Sequence, residues 1–420
     1  MANEYIDIKR SLAVRTEINL PASKSISNRA LIINALSHSE MEPQNLSDCD
    51  DTRVMIAALR NMPEVIDIGA AGTAMRFLTA YLCVTPGVHT ITGTERMRHR
   101  PIGILVNALR QLGADVQYEG EEGFPPLRIV GRNDLEGGNV VMAADVSSQF
   151  LSALLMIGPT LKCGLTLKLT GRIASRPYLE MTMQMMRTFG AKVEWDGEDT
   201  IRVEHGNYIP TPYVIENDWS AASYWYEVVS LTNDPGAWVE LPGLPIESLQ
   251  GDSCVRQIFD VLGVGTQECV CTSGQKGVRL YKQGKETDYL NCNFTDCPDL
   301  AQTIAVTCAL KEIPYCLSGV ESLRIKETDR LAAVCNELDV LGYRLKESDC
   351  CLEWGGFYSH DEGETELPVI HTYEDHRMAM AFAPACCKRP QVRILNPAVV
   401  SKSYPSFWND MEKAGFNVCS

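Results

Sequence analysis

No stretch of this chain approaches the roughly 18 uninterrupted apolar residues that a membrane-spanning helix needs. Positive charge is also scarce, with 38 Lys and Arg against 54 Asp and Glu in 420 residues and a formal net charge of −16. A field of that sign repels nucleic acid and anionic lipid, so neither is an expected partner. The opening Met1-Ala2-Asn3-Glu4-Tyr5 lacks the apolar core of a secretory signal, and a cytoplasmic protein is expected. The sixteen cysteines lack the spacing of a zinc ligand set or a disulfide framework. Cys350-Cys351 and Cys386-Cys387 are adjacent, and Cys269-x-Cys271 has no second pair. They read as reduced cysteines used as small apolar packing, with no metal expected.

The composition, 45% hydrophobic and 22% charged, is that of a folded protein. At roughly 150 residues per domain the length suggests two or three domains. A phrase then recurs: an apolar helical pattern, a glycine and a short β-rich run. The glycines are Gly113, Gly190, Gly263, Gly342 and Gly415, separated by 77, 73, 79 and 73 residues. Each stands where a helix would end on a left-handed residue before a strand. A sixth helix, Val54–Arg60, runs into Asn61-Met62-Pro63 and Ile66-Asp67-Ile68 instead, as a copy lacking a strand hairpin. Six units of about 75 residues make two groups of three, and a period so long favours compact pseudo-threefold packing over a solenoid. The stretch Gly206–Pro212 reads as a connection, with a helix starting near Asp218 and a crossover near residue 217.

Against the acidic total, cations gather beside hydroxyls and helix starts. Ser23-Lys24-Ser25-Ile-Ser27-Asn28-Arg29 precedes an apolar run, with Ser23 as the expected cap. Gly69-Ala-Ala-Gly72-Thr73-Ala-Met-Arg76 lets backbone approach a ligand, yet fits neither the Walker loop nor the dinucleotide fingerprint. Arg96, Arg98 and Arg100 alternate, which on an extended segment would crowd one face. Asp145-Val-Ser147-Ser148-Gln149 leads another apolar helix, with Ser175-Arg176-Pro177-Tyr178 downstream. In the second half acids join the cations. Cys297-Pro298-Asp299 opens an apolar helix, where Asp299 also reads as an ordinary cap. Arg324-Ile-Lys326-Glu327-Thr-Asp329-Arg330 places Lys326 and Arg330 four apart on one helical face. Glu374-Asp375-His376-Arg377 meets an apolar helix, and Lys402 stands alone in Ser401-Lys-Ser-Tyr-Pro. Each cluster has an ordinary structural explanation. Together they suit a small polyanionic substrate.

Taken together, the strings Ser23–Ala30, Ala71–Arg76, Arg100–Gly103, Val146–Leu151, Arg324–Leu331 and Asp375–Met380 resemble the enolpyruvyl transferase family, in the branch acting on shikimate 3-phosphate. The resemblance covers nearly the whole chain. It implies a two-domain inside-out α/β barrel, each domain holding three βαβαββ units in pseudo-threefold arrangement, with the first unit truncated here. It implies a terminal domain of residues 1–20 plus 218–420, an inserted domain of 21–217, and closure of the two around the ligands. It also implies an enzyme of chorismate and aromatic amino acid biosynthesis, using no metal or organic cofactor; a monomer is expected, and a bacterial cytosol, since no organellar transit segment precedes residue 5. The 5-hydroxyl of shikimate 3-phosphate would add to carbon 2 of phosphoenolpyruvate, and phosphate would then leave. Shikimate 3-phosphate would be bound by Lys24, Ser25, Arg29, Ser147, Ser148, Gln149, Ser175, Tyr178, Asp299, Ser322 and Lys326. Phosphoenolpyruvate would meet Lys24, Gly72, Thr73, Arg100, Gln149, Arg330, Asp375, His376, Arg377 and Lys402. Asp299, Glu327 and Lys24 would carry the proton transfers, since carbon 2 becomes cationic only when carbon 3 is protonated and the hydroxyl proton needs an acceptor.

The chain departs from the family pattern at Ala70, usually Asn, at Phe77, often Pro, at Ser322, usually Asn, and in its first repeat, about 25 residues short. A branch acting on UDP-N-acetylglucosamine typically carries Gly-Ala-Lys-Asn-Ala near its start and a reactive Cys after the arginine cluster. Here the start reads Ala22-Ser-Lys-Ser-Ile-Ser, and residues 84 to 162 contain no Cys. A catalytically silent binding paralogue is the other alternative; the presence of Lys24, Asp299, Glu327, Arg377 and Lys402 argues against it.

Overall fold

The computed structural model describes residues 4–144, 147–348, 350–359 and 367–419. The chain divides into two compact units, Met1–Pro21 with Glu216–Ser420 and Ala22–Ile215, here called the terminal and inserted units.

The chain places β1 (Tyr5–Lys9) and β2 (Arg15–Glu17) in the terminal unit and then leaves it. The inserted unit opens on α1 (Lys24–Leu36) and α2 (Asp50–Asn61). A complete repeat follows: β3 (Val65–Asp67), α3 (Gly72–Val84), β4 (Gly87–Thr92), the short α4 (Glu95–Arg98), α5 (Gly103–Gln111), and a hairpin of β5 (Asp115–Tyr118) and β6 (Leu127–Gly131). The next has β7 (Gly138–Ala143), α6 (Ser148–Ile157), β8 (Leu165–Thr170), α7 (Arg176–Thr188), β9 (Val193–Trp195) and β10 (Thr200–Val203). Their sheets run β3-β4-β6-β5 and β7-β8-β10-β9. In each the first two strands are parallel, joined by a helix as parallel pairs require, and the last two form an antiparallel hairpin.

The terminal unit repeats this plan three times. It resumes with α8 (Trp219–Leu231), β11 (Trp238–Pro242), α9 (Val255–Asp260), β12 (Val264–Val270) and β13 (Lys276–Lys282), in a sheet ordered β12-β13-β11-β2. Next come β14 (Leu290–Asn293), α10 (Ala301–Leu310), β15 (Tyr315–Ser318), α11 (Arg330–Val340), β16 (Lys346–Glu347) and β17 (Cys351–Trp354), ordered β14-β15-β17-β16. Last are β18 (Val369–Ile370), α12 (His376–Phe382), β19 (Gln391–Leu395), α13 (Phe407–Lys413) and β20 (Asn417–Cys419). Their sheet, β18-β19-β1-β20, takes its fourth strand from the N-terminus.

The inserted unit has two such sheets among the described residues. In place of a third, α1 and α2 stand beside a single parallel bridge, Gln44↔Val214. The short first repeat thus keeps its helices and loses its hairpin. The five repeating glycines, Gly113, Gly190, Gly263, Gly342 and Gly415, all have φ between 85° and 95° at the turn from the second helix into the third strand. That conformation costs a side-chain-bearing residue about 1–2 kcal/mol, which explains the spacing. Helix α2 ends instead on left-handed Met62.

Helices α3, α10 and α12 are buried along their whole length. A helix without a wet face belongs in a core. Helices α1, α3 and α6 pack together in the inserted unit, and α8, α10 and α12 in the terminal one, with the sheets outside them. No helix among the described residues is long and apolar enough to cross a membrane. All sixteen cysteines are free.

Candidate active site

Within a repeat, both helices follow the C-terminal ends of parallel strands, so the loops leading into them share one edge of the sheet. That edge is where open α/β sheets bind ligands. In the terminal unit these loops supply a dense ionic cluster built on Asp299, which follows β14. Its Oδ1 accepts from Arg330 Nη1 at 2.9 Å and lies 3.8 Å from Lys326 Nζ, while Oδ2 accepts from Arg377 Nη2 at 2.8 Å. Burial opposes ionisation of Asp299, but Arg377, Lys326 and Arg330 outweigh it and hold the carboxyl well below the usual carboxylate range. Asp299 is not a helix cap. It sits inside a 3-10 turn, Pro298–Leu300, ahead of α10, and its oxygens are committed to cations.

Arg330 is 2% exposed and starts α11. Besides Asp299 it donates through Nη2 to Glu327 Oε2 at 2.8 Å and through Nε to Asp375 Oδ2 at 2.7 Å. Asp375 is wholly buried and caps α12, accepting the Arg377 amide at 2.8 Å. Arg330, first in its helix, and Arg377, second in its own, place positive charge at the positive end of a helix dipole, where anions are stabilised and cations are not. Acids balance them here, and losing one partner of such a buried pair costs about 3–5 kcal/mol.

Lys326 and Arg330 do not share a helical face. Asp329 accepts from the amides of Leu331 and Ala332 and starts the helix at Arg330, leaving Lys326 in the preceding loop. They nevertheless converge on the same oxygen of Asp299. Ser322 is half-buried in the turn Glu321–Ile325 just before Lys326. His376 Nδ1 lies 3.8 Å from Asp375 Oδ1, and Lys402 Nζ donates to the Glu374 carbonyl at 2.8 Å.

The inserted unit carries a second cluster. Ser23 caps α1 by accepting the Ile26 amide, and Lys24, first in that helix, has Nζ 3.8 Å from Asp51 Oδ2 at the start of α2. Gly72 begins α3 with the Arg100 guanidinium against it: a Cβ there would lie 2.7 Å from Arg100 Nη1 and 3.0 Å from Arg76 Nη1. Thr73 Oγ1 accepts from Gln149 Nε2 at 3.2 Å, which ties the start of α3 to the start of α6. Ser147 caps α6 and Ser148 is its first residue. Asp145 and Val146, named with them above, lie outside the described residues. Ser175 holds a left-handed φ of 56° at the cap of α7, three residues before Tyr178.

Arg29 is 2% exposed and faces inward. It donates to Thr182 Oγ1, to the Ser25 carbonyl and to Ser152 Oγ at 2.7, 2.9 and 3.0 Å. Its guanidinium lies 5.2 Å from the Phe77 ring centre and 5.7 Å from that of Tyr178. Burial lowers its pKa to about 10, which still leaves it charged at neutral pH. The unusual Phe77 therefore supplies a cation–π surface worth about 0.5–2 kcal/mol. The alternating arginines do not form an extended face: Thr94 accepts the Met97 amide and winds Glu95–Arg98 into a helical turn, and of the three it is Arg100 that lies against Gly72.

Three acidic or aromatic partners escape the sequence reading. Asp51 pairs with Lys24; Tyr224 is 3.4 Å from Arg377 Nη1; and Asp252 is 2% exposed, accepts from Ser220 Oγ, and feels the charges of Asp299 and Arg377. Burial, assisted by Asp299, lifts the Asp252 carboxyl to about 7. Asp51 and Asp252 each sit at the mouth of a repeat's second helix, the place of Arg100 and Lys326 in other repeats. That positional analogy is the signal that could have found them.

The EPSP synthase (3-phosphoshikimate 1-carboxyvinyltransferase) family model matches residues 8–66 and 61–411. The chain belongs to this family. It is 55% identical over 406 residues to the 3-phosphoshikimate 1-carboxyvinyltransferase of Bacteroides fragilis strain ATCC 25285, covering 96% of each chain. It is 35% identical over 432 residues to the Cellvibrio japonicus protein of the same name, covering 97% of this chain and 98% of that one. In fold it is similar to the EPSP synthase of Acinetobacter baumannii, with a TM-score of 0.77 at 22% identity over 99% of this chain and 100% of the other.

Proposed function

We propose that this EPSP synthase family member transfers the enolpyruvyl group of phosphoenolpyruvate to the 5-hydroxyl of shikimate 3-phosphate and releases phosphate, with the roles assigned above. The observation that carries the reading is Asp299, a carboxylate spanning Arg330 and Arg377 with Glu327 on the same arginine. Three acids, Asp299, Glu327 and Asp375, and three cations, Lys326, Arg330 and Arg377, in one half-buried cluster suit an addition–elimination between two anions. One acid delivers a proton to carbon 3 while the hydroxyl oxygen bonds to carbon 2 and gives up its own proton. The phosphate–carbon bond then breaks, and carbon 3 returns its proton.

As the cations lie here, they depress the proton affinity of Asp299. A phosphoenolpyruvate carboxylate or phosphate taking over Arg330 and Arg377 would release Asp299 from them and raise its proton affinity. In the inserted unit, Lys24, Ser25, Ser147, Ser148, Ser175 and Tyr178 would hold shikimate 3-phosphate, while Gly72, Thr73, Gln149 and Arg100 would hold phosphoenolpyruvate. Arg29, which donates to Thr182, Ser152 and the Ser25 carbonyl, would add its charge to the same shikimate 3-phosphate surface. The chain is read as a cytoplasmic monomer. The deciding experiment is phosphate release from phosphoenolpyruvate with shikimate 3-phosphate present or absent, and again with UDP-N-acetylglucosamine in its place. Release that depends on shikimate 3-phosphate supports the reading; release with the nucleotide sugar alone, or none with either, refutes it.

A further inference from the structure

The sheet β14-β15-β17-β16 has one apolar and one wet face. Tyr315 and Leu317 of β15 and Leu352 and Trp354 of β17 point into the core. By strand alternation Cys316, Cys351 and Glu353 point outward. The antiparallel register sets Cys316 directly opposite Glu353 and Ser318 opposite Cys351, so Cys351 is the diagonal neighbour of Cys316 on the same face. Cys316 Sγ donates to Glu353 Oε1 at 3.4 Å, and the two sulfurs and a carboxylate oxygen lie within 4.8 Å of one another. The two thiols are half-buried and Glu353 is exposed.

The geometry points to a thiophilic divalent cation of the zinc class, bound between β15 and β17 by Cys316 Sγ, Cys351 Sγ and a Glu353 oxygen, its fourth position open to water. Zinc–sulfur bonds of about 2.3 Å and zinc–oxygen bonds of about 2.1 Å set tetrahedral edges of roughly 3.5–3.8 Å, against 3.4 Å already present between Cys316 and Glu353 and an upper bound of 4.8 Å for the set. Binding releases one proton from each thiol, and two thiolates with one carboxylate then face the cation. Lys346, opposite Glu353 on its other side, has Nζ 5.6 Å from the Phe357 ring centre. Cys350 Sγ lies 3.7 Å from Cys351 Sγ, so the test is made under a non-thiol reductant that keeps both thiols reduced. No motif of neighbouring cysteines announces such a site. Its ligands stand 35 residues apart, and strand register brings them together. The cation would clip β15 to β17 just before the turn that leads to Lys326 and Glu327.

Titration of the full chain with Co²⁺ should give one equivalent with a thiolate-to-cobalt charge-transfer band. Cys316→Ser and Cys351→Ser should each weaken binding at least tenfold, and Glu353→Gln by less. On the unmodified chain, Zn²⁺ should protect Cys316 and Cys351 from alkylation, mapped by peptide mass, while exposed Cys163 and Cys419 label at unchanged rates. A band that persists in the Cys316→Ser/Cys351→Ser double variant, or no protection of these two thiols, overturns the proposal. Phosphate release does not enter the readout, so this test and that of the proposed activity fail independently.

Discussion

Replacing Gly72 by alanine tests the phosphoenolpyruvate half of the proposed site with one methyl group. The added Cβ would lie 2.7 Å from Arg100 Nη1 and 3.3 Å from its Cζ, where ordinary contact begins at 3.4 Å. The Arg76 Nη1 on the other side, at 3.0 Å, is tied to the Gly72 carbonyl, so Arg100 is the group that yields. It must retreat by about 0.7 Å, enough to turn a good charge-assisted hydrogen bond into a marginal one. Hydrogen bonds to charged groups contribute about 1.5–3 kcal/mol, so KM for phosphoenolpyruvate should rise about 10- to 150-fold. Gly72 begins a helix without a positive φ, so alanine costs the backbone nothing and gains up to about 1 kcal/mol of helix propensity. Steady-state phosphate release with phosphoenolpyruvate varied at saturating shikimate 3-phosphate, beside a thermal melt, reads both effects. An unchanged KM in a variant with an unchanged melting temperature would show that Arg100 does not engage this substrate.

Asp299→Asn and Glu327→Gln keep the shapes of the two acids and should bind both substrates while losing about 10²–10⁴ in kcat; normal turnover in either removes that residue from the proton transfers. Glu227, fully buried in α8, has its carboxyl pushed well above the usual range by burial. Its native form therefore holds a proton more tightly than the unfolded chain, and its contribution is fully present below about pH 4.5 and falls by about 1.4 kcal/mol per unit as pH rises toward the native pKa. Glu227→Gln should flatten that decline and raise the melting temperature at neutral pH; a steeper decline contradicts the sign. Asp252, lifted to about 7, has the same sign over a window ending near pH 7. Asp252→Asn should remove the loss of stability between about pH 4 and 7, measured by denaturant unfolding across that range.

The fold is legible where one residue type has no substitute. The five glycines at φ 85–95° are such positions, and their spacing carries the repeat because each must turn a helix into a strand. Strand pairing is less legible: β3, β16 and β18 have only two or three residues, too few for alternation to mark them. That the last sheet takes its fourth strand from residues 5–9 is a long-range closure without a local sequence signal. The sequence groups the charged residues well and places them poorly. Thr94 and Asp329, by capping, decide whether Arg98 and Lys326 are helical, against the periodicity of the cations themselves. Asp51 and Asp252 are hidden because one acid more in an acid-rich chain attracts no notice until a half-buried lysine or aspartate is beside it. Phe77 looks like a deviation in the sequence and becomes intelligible as a ring against Arg29.

Strand β1 lies between β19 and β20, with Asp7 bonded to Arg393 and paired across to Cys419. On a ribosome, residues 22–215 can be fully wound before the terminal unit has half its parts. Asp7 of β1 meets Arg393 of β19 across 386 residues, so this sheet cannot close until β19 has been made. Because head and tail finish side by side in one sheet, joining them by a short linker and cutting the chain at an exposed turn elsewhere should yield an active permuted protein, whereas trimming either end would open the same seam.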